Sequence, residues 1–307
     1  MQTAHAFTKR RSDPNGGDGK SVQNSPILNA MSIDIEDWFQ VGAFEKVVSR
    51  DDWDHLPSRV ERNSYAVLEL FAEADVKATF FTLGWIAERF PALIRRFADA
   101  GHEVASHGSD HDRVFTFTPE AFRADIRRAR AAIEDASGQR VHGYRAPSFS
   151  IDGRNPWAHV ILAEEGYGYS SSVAPIAHDH YGWREAPRFA FRPVPDADLI
   201  EIPVTSVEVA GRRMSAGGGG FFRILPYAFS HWAIDRVNNA EGRPAAFYFH
   251  PWEIDPEQPR VSAAPLRSKF RHYTRLSAMY PKLRQLLGDF SWGTTATVVE
   301  NERRRLA

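Results

Sequence analysis

Four short stretches of the chain carry side chains suited to catalysis, and each stands where an apolar run gives way to polar residues. In SIDIEDW the run ends in Asp34, Glu36 and Asp37. Three carboxylates within four residues repel one another, and burying them is costly unless a cation or a shared proton offsets the charge. In HEVASHGSDHDRV, His107 and His111 stand four apart, so a helical turn after the strand would put both on one face. Two neutral imidazoles and one carboxylate make a hydrolase-type metal site with positions left open for water and substrate. An HxxxH pair alone is common by chance; the acidic strand end is what favours the metal. GYRAPSFS carries Arg145, which can orient a carboxylate through charge-assisted hydrogen bonds, although an ion pair that merely joins two elements fits these residues equally well. FYFHPWEID puts His250 at the end of an aromatic run, beside Trp252. A histidine there can titrate near neutrality and serve as a general acid, whereas a lone one is more often simply hydrogen-bonded.

Such groups need a scaffold that brings several strand ends together, and parallel α/β barrels do this at their C-terminal face. From residue 29 onward, short β-rich runs alternate with helical stretches, the pattern of βα units. The runs 30–35, 78–83, 103–106, 141–144, 167–171, 199–204 and 246–250 predict seven strands. Apolar residues at helical spacing predict helices over 59–74 and 86–100. Thr118-Pro119 and Asn155-Pro156 are N-cap and first-turn proline signatures for helices at 119–136 and 156–166. Further helices are expected over 226–239 and, rich in Arg, Lys and aromatics, over 266–290, with NERRRLA as a solvated tail. His102, at the start of its strand, falls at the opposite end of the barrel and reads as structural. MSAGGGGFF lacks the GK[ST] of a phosphate loop, so its glycines read as a turn or a close backbone approach.

Bulk properties narrow the chemistry. The chain has 307 residues, a net charge of -1 and no cysteine. The charge gives no electrostatic footprint for nucleic acid, and the lack of thiols leaves histidines and carboxylates as metal ligands. No run of about 18 apolar residues predicts a transmembrane helix, and no apolar segment follows the N-terminal basic residues as in a secretory signal. The polar, glycine-rich residues 1–27 read as a disordered extension, and residues 28–300 as one catalytic domain that includes the C-terminal helical region. Action in the cytoplasm, peripheral to the inner membrane, is the expectation.

Taken in order, the acidic strand end, SHGxxHxxV, RxP and the late strand ending in His resemble the NodB-homology motifs of carbohydrate esterase family 4, the polysaccharide deacetylases. The wording SIDIEDWF, SHGSDH, YRAPSFSID, GGGGFFRILPY and FYFHPWEIDP is similar to the subgroup associated with exosortase and exopolysaccharide gene clusters. The resemblance implies a distorted (β/α)7 barrel and metal-dependent removal of N-acetyl groups from an exopolysaccharide or its precursor, releasing acetate. It implies a divalent ion, foremost Zn²⁺, with Co²⁺, Ni²⁺, Mn²⁺ or Fe²⁺ as alternatives. Carried over by motif, Asp34 is the general base oriented by Arg145, His107 and His111 are metal ligands, and His250 is the general acid. The family's adjacent aspartate pair is replaced here by Asp34, Glu36 and Asp37, which leaves the third ligand open between Glu36 and Asp37. Ser170 stands where the subgroup has an acidic residue that would tune His250. Trp38, Phe39, Pro147 and Trp252 are the expected substrate contacts, with core packing as the alternative for the aromatics, and more so for Phe149. The implied partners are an N-acetylated glycan and exopolysaccharide assembly machinery. An allantoinase-like cyclic-amide hydrolase and a catalytically impaired glycan-binding module are the competing readings.

Overall fold

The computed structural model describes residues 26–177 and 182–307. The extension expected over residues 1–27 thus lies, as far as residue 25, outside the described residues. Among the described residues ten strands form: β1 (Asn29–Ile35), β2 (Thr79–Thr82), β3 (Glu103–Ser106), β4 (Gly143–Tyr144), β5 (Tyr169–Ser170), β6 (Ile200–Glu201), β7 (Ser206–Val209), β8 (Arg212–Ser215), β9 (Ala246–Phe249) and β10 (Trp292–Gly293). Seven of them make a curled parallel sheet in the order β9-β1-β2-β3-β4-β5-β6, flanked by helices, and these are the seven runs expected from the sequence. This is the distorted (β/α)7 barrel. β10 pairs with the start of β1, and β7 and β8 form a separate hairpin that periodicity did not show.

All seven residues of β1 are buried, as a parallel strand covered on both faces requires. Alternation then sorts them. Met31, Ile33 and Ile35 pack with Phe80, Val104, Phe247 and the helix residues Val67, Phe71 and Phe97. Ala30 packs with Phe81, Ala105, Tyr169 and Ala246, and Ser32 and Asp34 share its face by the two-residue period. Outward apolar residues thus anchor the strand, each large one contributing roughly 1.5–3 kcal/mol. The inward row ends on the carboxylate of Asp34.

The sheet's gap between β6 and β9 is bridged by backbone. Thr205 donates its N–H to Ala246 O at 3.1 Å, and Tyr248 donates to Gly217 O at 2.8 Å. Here the glycine run has its use: Gly218 sits at φ +115°, and a Cβ there would lie 1.9 Å from Tyr248 O. The close approach expected of that run is what the fold exploits.

Helices follow their signals where a cap exists. Thr118 Oγ1 accepts from the Ala121 N–H at 3.2 Å ahead of the helix Pro119–Ser137, which ends on left-handed Gly138. The helix expected over 86–100 is two, Gly84–Arg89 and Pro91–Asp99, because a proline lacks the N–H to continue the first. The segment 266–290 is likewise broken into Leu266–Tyr273, a short turn and Met279–Asp289. The tail NERRRLA is the end of the helix Thr295–Leu306 and is largely exposed, as expected, except for Glu302, which is buried and pairs with Arg243 at 2.5 Å. Among the described residues no helix is long and apolar enough to cross a membrane.

Candidate active site

The strand ends converge on Asp34. Arg145, directly after β4, donates from Nη1 to Asp34 Oδ1 at 2.6 Å and to Ser32 Oγ at 2.8 Å. Its Nε and Nη2 donate to Ser171 O and Oγ. Arg145 is 1% exposed, so the guanidinium is fixed by four bonds and its face lies 4.0 Å from the Phe81 ring centroid. A planar donor held this way presents Asp34 in one orientation. The orienting role expected of Arg145 has the geometry it needs.

His107 follows β3, its N–H continuing the ladder to Thr82 O at 2.8 Å. Its Nδ1 lies 2.9 Å from Arg145 O, an acceptor, so the ring proton sits on Nδ1 and the Nε2 lone pair faces inward. Burial pushes the His107 pKa down to about 4, outweighing the nearby Asp34 carboxylate. The ring is therefore neutral and available as a ligand at ordinary pH. His111 reaches the same point differently from expectation. The residues after β3 form no helical turn; they are a loop in which His111 adopts φ +60°. A non-glycine residue in that region is strained, and the loop is held by Trp85 N–H to Ser109 O at 3.0 Å and by Arg128 Nε to Ser109 Oγ at 3.0 Å.

Glu36 and Asp37 separate cleanly. Glu36 Oε2 lies 2.7 Å from His111 Nε2, and ligand atoms of Glu36, His107 and His111 all fall within 4.8 Å of one another. Burial favours protonating Glu36, but the His111 and His250 imidazoles hold its carboxyl well below the ordinary range. Asp37 is turned away: its Oδ2 accepts from Ser58 Oγ at 2.6 Å and from the Arg59 and Val60 N–H groups at 2.9 and 3.2 Å. It caps the helix Val60–Glu73, whose own N-cap, Arg59, supplies no side-chain acceptor. The ligand role held open for Asp37 is corrected on this ground. His107 Nε2 is buried and has no hydrogen-bond partner among the described residues, and buried Glu36 Oε2 has none beyond its 2.7 Å approach to His111 Nε2. Orphaned acceptors of this kind cost free energy unless something is bound, and two imidazoles with one carboxylate are a donor set that suits Zn²⁺ or a similar divalent ion.

His250, after β9, completes the ring of groups. Its Nε2 lies 3.4 Å from Glu36 Oε1 and 4.0 Å from Asp34 Oδ2, and His107 Nε2 is 3.9 Å from that same Asp34 oxygen. Trp252 does not face outward. It is 6% exposed, donates Nε1–H to Glu36 Oε1 at 3.1 Å and stacks between His250 and His272 at 5.0 and 4.2 Å. Trp38 and Phe39 are 3% and 2% exposed, Trp38 bonded to Pro57 O and Phe39 edge-on to Trp85. Pro147 is buried beside Gly108. These four, expected as substrate contacts, are parts of the wall and not its surface. Phe149 packs against Tyr248, as its core alternative required.

Two residues of the site escaped the sequence reading. Glu253 Oε1 lies 2.8 Å from His250 Nδ1, and Glu253 Oε2 accepts from Arg223 Nε at 2.5 Å. Burial would raise the Glu253 pKa, but Arg223 and His250 lower it. The His-x-x-Glu spacing of HPWE was a usable signal for Glu253; nothing local marks Arg223. Ser170, the departure from the subgroup's acidic residue, donates to Ser172 Oγ.

Two family models match, one on either side of a short interval. Residues 51–159 match Polysaccharide deacetylase, and residues 171–300 match Domain of unknown function (DUF3473). The chain is 27% identical to a peptidoglycan deacetylase of Helicobacter pylori over 48% of this chain and 50% of that one. It is 31% identical to a chitooligosaccharide deacetylase of Bradyrhizobium sp. over 41% and 52%. The chain thus spans about half the length of these curated relatives. A Mycobacterium smegmatis structure assigned as a polysaccharide deacetylase superposes with a TM-score of 0.59 at 20% identity, covering 92% of this chain and 95% of that one. One from Pseudomonas aeruginosa gives 0.59 at 14%, covering 90% and 91%. At such identities the likeness is one of fold.

Proposed function

We propose that this chain, whose residues 51–159 match the Polysaccharide deacetylase model, is a metal-dependent hydrolase that removes N-acetyl groups from a carbohydrate and releases acetate. The observation that carries the reading is the pair of buried acceptors, an unpartnered His107 Nε2 and a Glu36 Oε2 that meets only His111, facing an Asp34 already clamped by Arg145. Glu36, His107 and His111 would hold the ion. When bound, a divalent ion supplies Lewis acidity that polarises the acyl oxygen and acidifies water. Asp34, oriented by Arg145, takes the proton of the attacking water, and His250 returns a proton to the departing sugar amine. Asp34 and His250 approach from different strand ends, so the two proton transfers need not share one group.

Residues 28–300 act in this reading as one catalytic domain, because Asp34, His107 and Arg145 meet His250 at a single point. Zn²⁺ is the ion proposed, and the substrate proposed is an exopolysaccharide or its precursor, by the likeness of the motif wording to the exosortase-associated subgroup. The test is to load purified protein with Zn²⁺ or Co²⁺ and measure acetate released from N-acetylglucosamine oligomers and from acetylated exopolysaccharide. Metal-dependent release that vanishes in Asp34→Asn is the expected result. Firm metal binding with no acetate from any glycan would overturn the reading.

A further inference from the structure

We propose that Arg223 and Glu253 are positioning residues that fix which nitrogen of His250 carries the exchangeable proton, so that residues 171–300, matched by a model with no assigned function, supply the acid-delivering half of the site. The inference rests on the deacetylase reading and adds to it.

Arg223 is 1% exposed and has only donors to offer. Its Nη1 and Nη2 donate to the carbonyls of His272, Thr274 and Arg271 at 2.9, 2.8 and 2.9 Å, closing the helix Leu266–Tyr273. That leaves Nε, aimed at Glu253 Oε2. Glu253 is 0% exposed, and its other oxygen receives both the backbone N–H of His250 at 3.2 Å and the ring Nδ1 at 2.8 Å. An ionised carboxylate can only accept there, so Nδ1 must carry hydrogen. Proton gain and loss are then confined to Nε2, the atom that faces Glu36 and Asp34. Stacking on Trp252 at 21° between planes fixes the ring's tilt. Ser170, spent on Ser172, makes no such contact with the ring among the described residues. The turn Pro251–Ile254 puts Glu253 one turn past His250, where a side chain can reach back.

Glu253→Gln tests this with little change of shape. Arg223 must still be given an acceptor, so the amide oxygen turns to it and the NH₂ group faces Nδ1, which then has to accept. Ring ¹⁵N spectra of His250, recorded across the ring's titration, should show the neutral ring protonated on Nδ1 in the wild type and on Nε2 in the variant. With N-acetylglucosamine oligomers, kcat should fall roughly 10²- to 10³-fold at unchanged KM. With 4-nitrophenyl acetate, whose leaving group needs no proton, the change should stay within about threefold, and Glu253→Asp should restore part of the loss. An unchanged tautomer, or equal losses on both substrates, would overturn the proposal. Should the wild type release acetate from neither substrate, the deacetylase reading fails, and the spectra still decide the tautomer.

Discussion

The half of the site proposed to hold a metal and the half proposed to deliver the acid treat the same side chain in opposite ways. His107 lies among groups that leave its Nε2 without a partner, and burial lowers its pKa to about 4. For His250, burial is outweighed by Glu36 and Glu253, which raise its pKa to about 9. An ion held by Glu36 would cancel that residue's share of the rise. On the proposed reading, the contrast is how one fold would make a ligand and a proton carrier from identical imidazoles. A ligand is kept neutral with its lone pair free, whereas an acid is given a closed chain of partners behind it.

The sharpest way to break this comparison is to remove one imidazole from each half. His107→Ala should lose the ion, and acetate release should fall roughly 10³-fold, since the Lewis acid supplies several kcal/mol at 1.36 kcal/mol per tenfold. His250→Ala should keep its full metal content while release from an amine leaving group falls roughly 10²- to 10⁴-fold. Metal content measured beside acetate release separates the two. Loss of metal from both variants would mean that the halves are not distinct.

Arg145 joins the halves, and its removal comes next in size. Arg145→Met would leave Asp34, 3% exposed, without its charge partner. Breaking a buried pair from one side costs roughly 3–5 kcal/mol, to be read as a lower urea midpoint at unchanged slope. Asp34→Asn should cost less, because Ser32 and Ser171 continue to accept from the guanidinium. A midpoint within error of the wild type for Arg145→Met would show that the clamp is not under tension from burial.

Stability against pH sharpens the comparison further in metal-free protein. His102 and His107 both fall from an ordinary value of 6.5 to about 4. As pH drops from 6.5 toward 4, the unfolded chain binds protons that the folded one refuses, so stability declines in that window. His250 runs the other way: raised to about 9, it contributes stability that is complete below about 6.5 and is lost as pH rises through 9. His102→Gln should flatten the acid limb of a urea-midpoint profile without touching the alkaline one, and His250→Gln the reverse. His102 is the cleaner probe, since it sits at the far end of β3, bonded to the Ala78 N–H and packed on Phe80.

What was legible in the sequence follows from how local the cause was. The seven strands could be read because each is a short apolar run ended by polar or turn residues, and the candidate groups because they directly follow those runs. His102 was placed correctly by its position at a strand start. Less could be read where the cause lies elsewhere in the chain. His111 looked helical by spacing, yet its conformation is set by Ser109 contacts to Trp85 and Arg128. Trp38 and Phe39 looked like sugar platforms because aromatic residues beside a motif serve either purpose, and only the positions of Trp53 and Trp85 decide. Arg223 is 30 residues from Glu253 in sequence and is held by carbonyls that follow a third segment. Glu302 and Arg303 in the tail pair with Arg243 and Asp198, each far from them along the chain.

Glu36 and Asp37 are the smallest test and the most direct one of that lesson, since two neighbouring carboxylates were interchangeable as ligands by chemistry alone. Asp37 serves the Ser58 hydroxyl and two helix N–H groups, so Asp37→Ala should cost about 0.5–2 kcal/mol, as loss of an N-cap does, with metal content unchanged. Glu36→Gln removes one charge from a site with two imidazoles, so it should lose the ion, and it should also lower the urea midpoint of the metal-free protein, because the His111 and His250 imidazoles hold the Glu36 carboxyl below its ordinary range. The His250 pKa should also fall in Glu36→Gln, because Glu36 is the foremost group raising it. The ion therefore tells the two variants apart: stability falls with the metal kept in Asp37→Ala, and the metal is lost in Glu36→Gln. Metal analysis and urea melts on the same preparations read both. If Asp37→Ala loses the ion and Glu36→Gln keeps it, the ligand set built on Glu36 is wrong, and the loop carrying these residues must rearrange when the ion binds.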